Sequence, residues 1–301
     1  MADNKMELIK ELRQRTNSAL VDCKKALEAT AYDIEAAIKW LKDNGIVKAA
    51  KKAGRVAAEG AVTAVGNDKS ALLVEINSET DFVAKNDKFI MLLDKVANAI
   101  YNANVETTEE ALTVKLDDNQ TVEQALVDAT AVIGEKISLR RIKRVNAMDN
   151  QVLGIYVHAN GQVASVVVVN GSNANVARDV AMHVAAMNPE FDLVNEIPSE
   201  RMEEIKKGFV EPNGFANKPE NIREKIVSGW LDKQLSEFVL AKQPFVMDDG
   251  VTVEKYLANS GCELVKSYRF EVGEGIEKVQ SNFAEEVSSQ VWLMDNIKHF
   301  A

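Results

Sequence analysis

The sequence predicts an α+β fold: an N-terminal bundle of three short helices, then two duplicated units in which a small antiparallel sheet carries helices on one face. Three observations predict it. Residues 6–41 place apolar side chains at helical spacing. Two later stretches repeat the order strand, turn, strand, helix, each with a third strand arriving far downstream. The 301 residues are 46% hydrophobic and 27% charged, an ordinary globular make-up with room for about two domains at roughly 150 residues each.

In the bundle, Met6, Leu8, Ile9 and Leu12 share one stripe. Thr16-Asn17-Ser18 breaks it, and Ser18 is placed to cap a second helix bearing Leu20, Cys23, Ala26 and Leu27. Asp33 suits the cap of a third, with Ile34, Ala37, Ile38 and Leu41 inward and Asn44-Gly45 as its end. So small a bundle is marginal alone and suits docking better than catalysis. The basic run 48–55 reads as a solvated linker or helix end, or else as a nucleic-acid patch.

The first copy has strands at Ala61–Val65 and Ala71–Ile76 around Gly66-Asn67-Asp68. A helix follows with Phe89, Leu92, Leu93, Val96 and Ile100 on its apolar side, then a polar, acidic stretch, then a strand at Lys136–Val145. The second copy has strands at Val152–His158 and Val163–Val169 around Asn160-Gly161. Its helix carries Val176, Val180, Val184 and Met187, and its late strand is Glu263–Val272. An insertion at Ser199–Val210 and Pro219–Leu240 reads as a helical hairpin, with Ile222, Ile226, Trp230, Leu235 and Phe238 as its seam. A last helix starts near Ser281 or Asn282, where Glu285 can close a capping box. It carries Val279, Phe283, Val287, Val291 and Met294 on one stripe, which Trp292, Leu293, Ile297 and Phe300 widen.

Charge and motifs exclude several functions. The net charge of −10 disfavours nucleic acid as a partner. There is no phosphate-binding Gly-x-x-x-x-Gly-Lys loop, and Gly273-Glu274-Gly275 lacks the third glycine of a dinucleotide fingerprint. Two cysteines and three histidines, none at ligand spacing, predict no metal centre and no cofactor. No apolar run nears the roughly 18 residues of a membrane span. The first residues lack a signal core, so a cytoplasmic location is expected.

The strand at Ala71–Ile76 leads into a loop, Asn77-Ser78-Glu79-Thr80-Asp81-Phe82-Val83-Ala84-Lys85-Asn86, before a helix near Asp87. On a rigid scaffold such a loop presents side chains outward. The plainer reading is that Asp81 caps a turn and Phe82 packs beneath it. Together with this loop, several segments occur in a telling order: Leu12-Arg13-x-Arg15-Thr16, Asp22-Cys23-Lys24-Lys25-Ala26-Leu27, Asp33-Ile34-Glu35-x-Ala37, Lys48–Arg55, Ala181-Met182-His183-Val184, Gln243-Pro244-Phe245-Val246-Met247 and Arg269–Glu277. Over nearly its whole length the chain thereby resembles the elongation factor Ts family, the guanine-nucleotide exchange factors of elongation factor Tu. It departs at Asn17-Ser18-Ala19-Leu20-Val21, where many members have Gly-Ala-Gly-Met-Met, and in its tail from Trp292 to Ala301.

The resemblance implies that the chain binds GDP-bound elongation factor Tu and promotes GDP release, with no substrate chemistry of its own. It puts displacement of the partner's magnesium on Thr80, Asp81, Phe82 and Val83, and suggests partner contacts at Leu20, Val21, His158, Val287 and Val291. It makes residues 1–45 a ubiquitin-associated-like domain, followed by a basic linker at 46–56. The two units then span 57–146 and 147–280, the second with its insertion at about 199–240, and a C-terminal helical module takes 281–301. The tail is left to dock on the partner, on its own core or on another copy. Two other functions stay open: an adaptor whose bundle captures ubiquitin-like or other helical partners without exchange, and a hydrolase using Cys23 and His183. Against the latter, both residues lie on apolar helix faces, which suits packed, structural side chains.

Overall fold

Three helices, α1 (Ala2–Thr16), α2 (Leu20–Ala29) and α3 (Ile34–Lys52), form from the N-terminal pattern. The computed structural model describes residues 2–16, 18–117 and 120–277. Asn17 of the first break, and the expected C-terminal helix with Val279, Glu285, Val287 and Val291, lie outside the described residues. Ile9, Leu12, Cys23, Ala26, Leu27 and Ala37 close one small core. Asp33 caps α3, its carboxylate accepting the Ala36 N–H at 2.8 Å.

Two expectations fail here. Ala19, not Ser18, holds the cap position of α2, and Ser18 instead offers its carbonyl to the Cys23 thiol at 3.7 Å. Helix α3 also runs past Asn44-Gly45 and through Lys52, into the expected linker. The cause is tertiary. Gly45 is buried, and a Cβ on it would come to 3.2 Å from the Cβ of Ala131 in another helix. Close helix–helix packing there offsets the cost of about 1 kcal/mol for a glycine inside a helix.

The first unit runs β1 (Glu59–Gly66), β2 (Ser70–Ser78), α4 (Asp81–Ala84), α5 (Asp87–Ala103), α6 (Thr108–Thr113), β3 (Lys115–Asp117), β4 (Gln120–Thr121), α7 (Val122–Ile133) and β5 (Ser138–Asn146). Its main sheet has the antiparallel order β1-β2-β5. The stretch that reads as merely polar and acidic thus holds two helices. Each opens with a capping box, Thr107 with Glu110 and Thr121 with Gln124. Ala111, Val122 and Leu126 from these helices join Phe89, Val96 and Ile100 of α5 over one face of the sheet.

The second unit runs β6 (Gln151–Val157), β7 (Val163–Asn170), α8 (Ala174–Met187), α9 (Ser199–Lys207), α10 (Glu220–Leu235), β8 (Pro244–Phe245), β9 (Asp248–Thr252), α11 (Val253–Asn259) and β10 (Glu263–Glu271). Its main sheet has the order β10-β7-β6. Helix α8 lies directly on β6, because Gly154 leaves room for the backbone of Ala177; a Cβ would meet it at 2.0 Å. In the insertion, Phe209 meets Trp230 edge-on at 5.2 Å, and Leu235 and Val239 are buried with Ile197.

The two main sheets stack by their other faces. Val62, Leu73 and Val145 of the first pack on Leu153, Val166, Val168 and Phe270 of the second. The central strands β2 and β7 are therefore covered on both sides, which explains their nearly unbroken apolar runs. Into this seam β2 sends a fully buried carboxylate, Glu75. Arg140 and Arg141 of β5 pair with it at 2.9 and 2.6 Å, and the Gly273 N–H of the second unit donates to it at 2.8 Å. Burial would raise this carboxyl, but the Gly273 N–H and the two guanidinium groups outweigh it and hold it below its ordinary value.

Candidate functional site

The junction between β2 and α5 is not a plain loop. Residues 81–84 make the single helical turn α4, with Thr80 at its cap and Asn86 capping α5 through the Lys88 N–H at 2.9 Å. On this turn Val83 packs inward against the first unit's core and Ala84 is buried. Phe82 points the other way and is 82% exposed. That overturns the plainer reading, since burying an aromatic ring stabilises a fold by about 1.5–3 kcal/mol and this chain forgoes the gain. Asp81 pairs with Lys85 one turn on, at 2.7 Å, and that partner holds its carboxyl below the ordinary range, so it is ionised at neutral pH. The turn therefore displays an aromatic ring beside an anion.

Opposite stands the β6–β7 hairpin tip of the second unit. His158 is exposed there, with its Nδ1 3.0 Å from the Tyr156 hydroxyl. The tip is tied to the first unit by the Val62 N–H, which donates to the Gly161 carbonyl at 2.8 Å. Between tip and turn lies a groove of about 540 Å³ lined by Ala84, Lys85, Ile90, Asp94 and His158. Ile90 and Asp94 have no distinguishing mark in the sequence; only the packing of the second unit brings them to this edge.

Leu20 and Val21 are both exposed, on the outer side of α2. The other two contact candidates, Val287 and Val291, lie outside the described residues. Cys23 and His183 are both buried and sit in different cores. Burial pushes the Cys23 thiol up, away from a reactive thiolate. His183 accepts the Val246 N–H on Nδ1 at 3.1 Å, so its Nε2 carries the proton and donates to Gln243 Oε1 at 2.9 Å. Burial pushes this imidazole down, keeping it neutral and structural. Among the described residues no cluster of histidine, cysteine, aspartate or glutamate is placed to hold a metal ion, and no helix is long and apolar enough to cross a membrane.

Comparison with known proteins bears on this geometry. The family model for elongation factor TS matches residues 79–274, beginning at the displayed turn. The chain is 65% identical over 289 residues to elongation factor Ts of Mycoplasmopsis synoviae (strain 53), covering 96% of this chain and 99% of that relative. It is 49% identical over 290 residues to elongation factor Ts of Mycoplasmopsis pulmonis (strain UAB CTIP), with the same coverage. With elongation factor Ts of Mesomycoplasma hyopneumoniae (strain 7448) it shares 46% identity over 293 residues, 96% of this chain and 97% of that one.

Proposed function

The chain belongs to the elongation factor Ts family, and from that premise we propose that it binds GDP-bound elongation factor Tu, displaces the magnesium ion bound there and so promotes GDP release, letting GTP enter during translation elongation. The observation that carries this reading is the exposed Phe82 on a turn whose Val83 and Ala84 pack toward the core. Of the four residues of the motif, Phe82 and Asp81 act on the partner, while Thr80 and Val83 hold the turn. Phe82 enters as an apolar wedge. Asp81 brings a negative charge toward a metal shell that is itself built from oxygen ligands. Magnesium neutralises the charge of the diphosphate, so losing it loosens GDP.

Linkage sets the scale. A factor that weakens nucleotide binding is itself weakened by nucleotide in the same ratio, and a thousandfold effect requires about 4 kcal/mol of coupling. One wedge at about 1.5–3 kcal/mol does not reach that. Leu20 and Val21 on α2, and the His158 tip of the second unit, supply further contact.

The test is GDP release from the cognate GTPase, followed by stopped-flow fluorescence with and without free magnesium. With magnesium present the factor accelerates release strongly. In chelator the spontaneous rate rises and most of the acceleration vanishes, because the step the factor performs has already been made. Equal acceleration in both buffers would rule out magnesium displacement, and none in either would leave an adaptor that binds without exchange.

A further inference from the structure

A one-turn helix cannot hold its own position, since helix nucleation is unfavourable and α4 has only four residues. Something outside it must aim Phe82. The turn begins at Thr80, whose residue type and extended backbone suit an N-cap, yet its hydroxyl makes no capping bond to α4. It donates instead to Glu135 Oε1 at 2.7 Å, while the Thr80 N–H donates to the other oxygen of the same carboxylate at 2.9 Å. The Ser78 hydroxyl fixes the Thr80 carbonyl at 2.9 Å. Every polar group of Thr80 that could set the direction of the turn is thus taken up by a fixed partner.

Glu135 follows Gly134, which ends α7, and precedes β5, so it stands on two packed elements. The contact is reciprocal: Glu79, the residue before Thr80, accepts the Lys136 N–H at 2.6 Å. Two carboxylates therefore cross between the segments, each gripping a backbone N–H of the other. Bonds to an ionised acceptor are about twice as strong as neutral ones. The end of α3 and the residues just after it reach the same place, with Lys52 on the Gly134 carbonyl and Arg55 on Glu79 at 3.1 Å.

We infer that Glu135 is a positioning residue for exchange: its carboxylate sets the direction in which α4 presents Phe82, without touching the partner. This rests on the exchange reading above and deepens it. Loss of the clamp lets the turn swing, so fewer complexes reach the productive geometry, while the surfaces that supply affinity are unchanged.

The experiment compares wild type, Glu135→Ala, Glu135→Gln, Phe82→Ala and the Phe82→Ala/Glu135→Ala double variant, each checked by circular dichroism and melting. GDP release is measured across factor concentration, giving a maximal rate and a half-saturating concentration. Glu135→Ala lowers the maximal rate roughly tenfold and moves the half-saturating concentration by less than about threefold. Glu135→Gln, which keeps one acceptor for Thr80, recovers most of that rate. The double variant is no slower than Phe82→Ala, because Glu135 acts through Phe82. A wild-type maximal rate for Glu135→Ala alongside a slow Phe82→Ala overturns the inference, as does a double variant that multiplies the two defects. If Phe82→Ala itself releases GDP at the wild-type rate, the exchange reading fails first and the inference with it.

Discussion

The two units share one plan and differ at one junction. In the second, β7 ends at Asn170, and α8 starts at Ala174 after a tight turn in which Asn173 caps the helix through the Val176 N–H. In the first, β2 ends at Ser78 and α5 starts only at Asp87, and the residues between form the displayed turn. The second junction is as short as the connection needs. The first is longer, exposes an aromatic ring and is clamped from a distant segment. A duplicated fold thus differs locally: the sheets and helices are shared, and the lengthened junction is where the proposed exchange surface lies. The second unit answers with its own projection, the His158 tip, which closes the far side of the groove.

If the sheets are a common chassis, the largest effect comes from breaking their seam. Glu75→Ala takes the shared partner from Arg140 and Arg141 and leaves the buried Gly273 N–H unpaired, which should cost about 1–3 kcal/mol in urea denaturation. Both units should lose stability together; melting of one unit alone would break the comparison. The same link has a pH sign. Because its folded pKa is depressed, Glu75 contributes stability at neutral pH that is lost as pH falls below the ordinary carboxylate range and through the folded value. Denaturation of wild type and Glu75→Gln from neutral to strongly acidic pH checks this, the variant showing the shallower loss.

A smaller effect sharpens the division between docking and exchange. Leu20→Ser with Val21→Ser removes apolar surface that α2 leaves exposed, and should weaken binding to the GTPase about tenfold. The maximal exchange rate and the melting temperature should hold, since neither side chain belongs to the bundle core. Titration of exchange rate against factor concentration separates the two quantities.

Much of this architecture is legible in the sequence because period and turn chemistry are local. The alternation around Asn160-Gly161, the stripe on α5 and the Asp33 cap all appear where the spacing puts them. The helix end misread at Gly45 and the stacking of the sheets both depend on tertiary packing. Gly45 looks like a helix end until α7 is seen against it, and the stacking of two sheets has no signature beyond apolar runs that suit several packings. Helices α6 and α7 were within reach, since Thr107-x-x-Glu110 and Thr121-x-x-Gln124 are capping signals set in a polar stretch. At the site, family resemblance points to Phe82 and Asp81. Glu135 has no local mark at all, because its role comes from a hydrogen bond to a residue 55 positions away.

Exchange, as proposed, resides in the lengthened junction and its exposed ring. Its most direct test is the maximal rate of GDP release at saturating factor for Phe82→Ala, measured by stopped flow beside wild type. The ring is 82% exposed, so its removal should leave the melting temperature within about 2 °C of wild type. The maximal rate should fall at least tenfold, in line with the loss of about 1.5–3 kcal/mol of wedge burial in the complex. A wild-type maximal rate in a folded, saturating Phe82→Ala protein would mean that exchange does not reside in this ring.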